Sequence, residues 1–242
     1  MTFEYPKINS LYKREGHDYN PETHEPKKSS KKAALIIGEY ACEEFEAIKR
    51  WTITEKVDGT NVRIIFERPA LDPSVCKIHF KGRTDNAQFP TFLLTYLQDT
   101  FTIDKMDKVF EKSNYVILFG EGYGPKIQSG GYYRKDPSFI LFDAYISGWW
   151  LNRDGVSEIA NQLDIDHVPI IGNIKLNNYC GGIEQTRFWT TQEIEQYVRS
   201  KPKSNLAQVE EREMEGIVAR SEPQMMFRKG GPIMFKLKCK DF

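Results

Sequence analysis

The stretch Trp51-Thr52-Ile53-Thr54-Glu55-Lys56-Val57-Asp58-Gly59-Thr60-Asn61-Val62-Arg63-Ile64-Ile65-Phe66 decides the fold. Both ends are rich in β-branched and aromatic residues, the composition of strands, and Asp58-Gly59 between them is a turn signal. Strands are therefore predicted over 51–55 and 62–66. Similar runs follow at 77–80, 115–119, 139–142, 216–219 and 233–237. Helical spacing falls at 92–97, 156–163 and 191–199. In the last of these, Thr190 or Thr191 can cap the start, with Glu193 and Glu195 in the first turn. Strands interrupted irregularly by helices predict an α+β fold of antiparallel sheets with flanking helices, not a doubly wound parallel sheet.

Composition narrows the functional classes. Across 242 residues, 34 Lys+Arg balance 34 Asp+Glu, so a polyanion must be met by a local patch. Aromatics at 13% supply the apolar area for a packed core and argue against disorder. No apolar run approaches the ~20 residues that span a bilayer. The opening Met1-Thr2-Phe3-Glu4-Tyr5-Pro6 has no secretion-signal character. Cys42, Cys76, Cys180 and Cys239 are widely spaced, which reads as reduced thiols in a cytoplasm, not a zinc site or disulfide framework. His17, His24, His79 and His167 show no metal spacing, and residues 15–32 read as a polar, mobile loop. Trp149-Trp150 and Met225-Met226-Phe227 read as packing.

Five short segments carry chemistry. In Glu55-Lys56-Val57-Asp58-Gly59, a lysine at a strand end before a turn holds an amine at the mouth of a sheet; alone, the string also fits a hairpin with a solvated lysine. Gly82-Arg83 follows a strand and fits a surface arginine equally well. Gly120-Glu121-Gly122 brackets a carboxylate with residues that let a ligand approach, or is a plain glycine loop. Phe142-Asp143 closes an apolar strand whose ring is either buried or free to stack on a base. Finally, Glu215-Gly216 precedes a strand in which Lys236, Lys238 and Lys240 alternate, placing three ammonium groups on one face. From Arg228 to Phe242, five basic residues meet one acid, Asp241, so this is the local patch that the neutral total leaves open.

This ordered set resembles the covalent nucleotidyltransferases: ATP-dependent RNA ligases, DNA ligases and mRNA capping enzymes. Thr60-Asn61 after Lys-x-Asp-Gly is most similar to the RNA ligase 2-type branch, and residues 5–14 are similar to the opening of phage and related RNA ligases. The resemblance implies a nucleotidyltransferase (ATP-grasp-like adenylation) domain spanning 1–242, working in a cytoplasm, that of a phage-infected cell included. It implies ATP as cofactor with Mg2+, for which Mn2+ can substitute. Lys56 would form a lysyl-adenylate, pass AMP to a 5′-phosphate of RNA, and let a 3′-hydroxyl displace it. It places Glu55, Asn61 and Arg83 at the nucleotide, Glu121 on the ribose hydroxyls and Phe142 against adenine. Glu215 belongs to the reaction centre and holds the metal through water, and Lys236 and Lys238 meet the phosphates. The last motif ends four residues before Phe242, so the expectation is no OB-fold after it and a partner protein in its place. A DNA ligase, a guanylyltransferase and a non-catalytic nucleic-acid-binding relative are the competing readings.

Elementary chemistry bears on the nucleophile. A free lysine amine has a pKa of about 10.4 and is mostly protonated at neutral pH. Neighbouring cations disfavour the ammonium form, so Lys236 and Lys238 are expected to crowd Lys56. Cys239, between two lysines, reads as packing despite those cations.

Overall fold

A computed structural model of the chain describes residues 3–15, 33–69, 75–171, 174–176 and 185–242. Its strands are β1 (Asn9–Ser10), β2 (Tyr12–Arg14), β3 (Leu35–Tyr40), β4 (Trp51–Glu55), β5 (Thr60–Glu67), β6 (Lys77–Lys81), β7 (Tyr115–Tyr123), β8 (Ser138–Ile146), β9 (Trp149–Trp150), β10 (Asp166–His167), β11 (Ile170–Ile171), β12 (Ile174–Leu176), β13 (Gln185–Arg187), β14 (Gly216–Ser221) and β15 (Met234–Lys238). Its α-helices are α1 (Glu43–Ala47), α2 (Thr91–Thr100), α3 (Ile103–Val109), α4 (Arg153–Gln162) and α5 (Thr191–Arg199). The chain groups into two compact units. One comprises Met1–Pro6, Val57–Val168 and Leu206–Arg212; the other comprises Lys7–Lys56, Pro169–Asn205 and Glu213–Phe242.

The unit containing Lys56 is built on a sheet in the order β1-β15-β14-β4-β11. Its pairings are antiparallel, as expected, except the two-residue pairing of β1 with β15. Alternation sorts the strands into two faces. Trp51, Ile53, Ile217, Ala219, Phe235 and Leu237 bury one face with Phe45 of α1 and Ile194 and Val198 of α5. Trp51 and Phe45 meet Phe235 edge-on, at 4.6 and 5.4 Å between ring centres. The opposite face carries Thr52, Thr54, Lys236 and Lys238.

The second unit is built on the order β10-β8-β7-β5-β6, with β9 paired to β8. Here too one short pairing, β10 with β8, is parallel. Val62, Ile64, Phe66, Val116 and Leu118 pack one face against Leu93 and Leu97 of α2, Met106 of α3 and Val156 and Ala160 of α4. On the other face, Ile65, Ile117 and Phe119 lie beneath Phe3, Tyr5, Tyr145 and Trp150. Phe3 stacks on Tyr145 at 4.4 Å.

All seven predicted strands and three predicted helices form, and β4 and α5 keep their predicted bounds. The hairpin alternative for residues 51–66 does not form, because β4 and β5 belong to different sheets. Gly120-Glu121-Gly122 is not a loop but lies inside β7. The lysine alternation stops at Lys238, since Lys240 enters a 3-10 turn over Cys239–Asp241. Only Glu193 occupies the first turn of α5; Glu195 instead accepts from the Tyr12 hydroxyl at 2.6 Å and from Arg199 at 2.8 Å. The short helices α1 and α3 are too brief to show a period in the sequence. The expected mobile loop lies, past residue 15, outside the described residues, as do His17, His24 and Cys180. Among the described residues Cys42, Cys76 and Cys239 are buried thiols in no disulfide. Among the described residues no helix is long and apolar enough to cross a membrane.

Thr190 and Glu193 form a reciprocal capping box at α5. Replacing Thr190→Ala should lower unfolding stability by about 1 kcal/mol, with Thr190→Ser recovering most of it, measured by chemical denaturation.

Candidate active site

The Lys56 cluster is assembled by backbone pairing. Ile217 of β14 pairs with Glu55 of β4, and Gly216 pairs with Lys238 of β15. Just beyond β4, the Lys56 N–H donates to the Gly216 carbonyl at 2.9 Å, and the Cys239 N–H donates to the Glu215 carbonyl at 3.0 Å. Gly216 has φ +153°, and a Cβ there would stand 2.1 Å from the Leu237 carbonyl oxygen. No side chain fits, which is why glycine follows the glutamate. The side chains then converge. Lys56 Nζ donates to Glu215 Oε2 at 2.6 Å, and Lys238 Nζ donates to Glu215 Oε1. Lys236 lies two residues back on the same face of β15.

One carboxylate between two ammonium groups leaves the cluster with a charge of +1, suited to a polyphosphate. Burial pushes the Glu215 carboxyl up, but the Lys56 and Lys238 ammonium groups overcome this and hold it below the usual carboxylate range. Lys236 and Lys238 are expected to crowd Lys56, but the structure sets an anion, Glu215, against it first, and Lys238 reaches it through that anion. Among the described residues no group of three or more His, Cys, Asp or Glu is placed to hold a metal. An ionised, part-exposed Glu215 therefore fits a hydrated divalent ion brought in with phosphate, and does not fit a protein-built metal cage.

Glu55 does not join this cluster. Its side chain is buried, with one oxygen accepting from the Ser204 hydroxyl and the other from the Asn205 N–H at 2.9 Å. Burial raises its pKa, and those two bonds only partly offset the rise. Ser204 and Asn205 carried no signal in the sequence, because they are ordinary loop residues 149 and 150 positions away. Burial also lifts the Cys239 thiol to about 11, consistent with packing.

In the second unit, Asn61 of β5 and Glu121 of β7 are direct cross-strand partners. Among the described residues the buried Asn61 side-chain oxygen meets no hydrogen-bond donor, a costly state that a ligand donor would relieve. Between β7 and β8 the register runs Phe119 to Asp143 and then Gly120 to Leu141, so Phe142 occupies a bulge. Bulges re-aim side chains. Here the Arg153 guanidinium holds the bulge, donating to the Phe142 carbonyl at 2.7 Å and to Asp143 Oδ1 at 2.6 Å. The Tyr5 hydroxyl takes the other Asp143 oxygen at 2.5 Å, and its ring meets Phe142 edge-on at 4.9 Å. Arg83 is exposed, two residues beyond β6. Sequence reasoning missed Tyr5 and Arg153 because their partners are distant in the chain.

A family model described as RNA ligase matches residues 49–238. The chain belongs to the RNA ligase family. Among solved structures, a lysine-to-alanine variant of Naegleria gruberi RNA ligase with ATP and Mn is similar at TM-score 0.54 and 21% identity, covering 81% of this chain and 52% of that one. Another such variant, also with ATP and Mn, gives TM-score 0.56 and 18% identity, covering 99% of this chain and 64% of the other. An apo variant gives TM-score 0.54 and 19% identity, covering 81% and 51%. This likeness shows the fold, and this member of the family spans between 51% and 64% of the length of those ligases. No curated protein matches.

The lowered Glu215 pKa has a signed consequence. The ion pairs contribute stability that is present above the unfolded value near 4.5 and is lost as pH falls through the lower folded value. The melting difference between the parent and Glu215→Gln should therefore be largest near neutrality and shrink below pH 4.5, as scanned by calorimetry.

Proposed function

We propose that this protein is an ATP-dependent RNA ligase that works through a lysyl-adenylate on Lys56, with 1–242 serving as a nucleotidyltransferase domain of the RNA ligase 2-type branch. The observation that carries this reading is the Lys56–Glu215–Lys238 cluster, at 2.6 Å between the Lys56 amine and its carboxylate, in a chain of the RNA ligase family.

In the first step the Lys56 amine, its ammonium proton lost to water, attacks the α-phosphorus of ATP; a P–N bond forms, the bond to pyrophosphate breaks, and the second N–H proton leaves to water or to the departing pyrophosphate. AMP then passes to the 5′-phosphate of an RNA end, and a 3′-hydroxyl displaces AMP to seal the phosphodiester. Glu215 fixes where the amine stands. A carboxylate held below its usual range is a weak base, so Glu215 orients Lys56 and does not itself carry off the proton. Lys236 and Lys238 meet phosphate oxygens and offset charge that builds during transfer. Glu215 would hold a divalent ion, Mg2+ or Mn2+, through water, and that ion would supply positive charge beside the triphosphate. Asn61 and Arg83 are assigned to the nucleotide, Glu121 to the ribose hydroxyls and Phe142 to the adenine ring. Glu55, bonded to Ser204 and Asn205, serves the nucleotide by shaping that loop. The substrate is RNA with a 5′-phosphate and a 3′-hydroxyl, a partner protein assists in gripping it, and the setting is a reducing cytoplasm.

Incubation with ATP and Mg2+ should add one AMP to the intact protein by mass. Lys56→Ala and Lys56→Arg should both abolish the adduct while leaving the melting transition in place, since neither side chain offers a free amine at neutral pH. An adduct that persists on Lys56→Ala would refute the assignment.

A further inference from the structure

Arg63 stands in the middle of β5, between Val62 and Ile64, with its side chain wholly buried. A guanidinium in such a strand is expensive unless every donor is met. Here each nitrogen is used. Nε donates to the Gly82 carbonyl at 2.8 Å, Nη2 to Asp85 Oδ1 at 2.7 Å, and Nη1 to the Phe3 carbonyl at 3.0 Å.

Two of those three bonds grip the turn that carries Arg83, one on each side of it. β6 ends at Lys81, which pairs with Arg63 itself, and the chain then leaves the sheet. The turn closes tightly: the Ala87 N–H donates to the Thr84 carbonyl at 3.1 Å, and a Cβ on Gly82 would stand 2.5 Å from the Ala87 Cβ. Arg83 is thus an exposed guanidinium on a base held at Gly82 and Asp85 from beneath. A planar fork with donors in fixed directions can grip two points at once; an ammonium cannot.

We propose that Arg63 is a positioning residue for nucleotide binding, acting through Asp85 and the Gly82 carbonyl to hold Arg83 in place. This rests on the reading that Arg83 meets the nucleotide. A merely structural Arg63, securing Phe3 to the sheet, predicts lower stability and no selective effect on ATP.

The test follows formation of the covalent AMP adduct against ATP concentration for the parent, Arg83→Ala, Asp85→Ala, the double variant and Arg63→Lys. The Asp85 side chain is 32% exposed, so in Asp85→Ala water can reach the Arg63 nitrogen that loses its partner, and a melting scan beside the kinetics separates lost stability from lost ATP binding. It should raise the half-saturating ATP concentration ~5- to 10-fold with the maximal rate changed less than about twofold, the pattern of lost uniform binding. Arg63→Lys should shift it in the same direction. In the Arg83→Ala background, Asp85→Ala should add nothing, because the two act as one unit. An unchanged ATP dependence in Asp85→Ala beside a raised one in Arg83→Ala overturns the inference and leaves the functional reading intact. Additive effects in the double variant overturn it as well. No effect of Arg83→Ala removes Arg83 from the nucleotide, and this inference with it.

Discussion

A single carboxylate, Glu215, shared by Lys56 and Lys238, is the contact that holds the candidate site together. It places an amine at a defined point and keeps a second cation beside it. Without Glu215, the two ammonium groups, carried at the ends of strands on either side of β14, would repel. The cost of burying the carboxylate is offset by the two charges it accepts, so the arrangement holds together only as a set. Three strands bring it about: β4 leads into Lys56, β15 ends at Lys238, and β14 lies between them with Gly216 at its start. The φ of +153° at Gly216 lets the two outer strands close on the residue that precedes it.

The other unit solves a different problem, the display of polar groups at one face of an otherwise apolar sheet. Asn61 and Glu121 face each other across β5 and β7, and the bulge at Phe142 turns a ring that strict alternation would leave in the pleat. Buried charges stabilise these irregular places. Arg153 and Tyr5 satisfy Asp143 beside the bulge, and Arg63 satisfies the turn after β6. In both cases a guanidinium fixes backbone that regular strand pairing leaves unsupported.

Much of the fold was legible in the sequence because its strands are strong ones. The run 51–55 combines tryptophan, threonine and isoleucine, and β4 forms over those residues. The capped start of α5 was equally plain, since Thr190 and Glu193 stand at the spacing a capping box requires. What could not be read were the partners. Residues 51–66 look like a hairpin locally, yet β4 pairs with β14 and β11 while β5 pairs with β6 and β7, so the turn at Asp58-Gly59 links two sheets instead of folding one. Likewise Lys240 keeps the alternation in the sequence but leaves the strand, where Cys239 begins a 3-10 turn.

The sequence by itself determined which residue types can do the work: an amine before a turn, a glutamate before a glycine, and lysines alternating on a strand. Side-chain chemistry and strand period are local properties, carried by a few consecutive residues. Only the tertiary structure decided that Lys56 would meet an anion first, that Glu55 would be buried against Ser204 and Asn205, and that Arg63, inconspicuous in an apolar run, would grip the turn bearing Arg83. Those outcomes depend on contacts between positions far apart in the chain, and the charge felt by a group is set by what folding brings within a few ångströms of it.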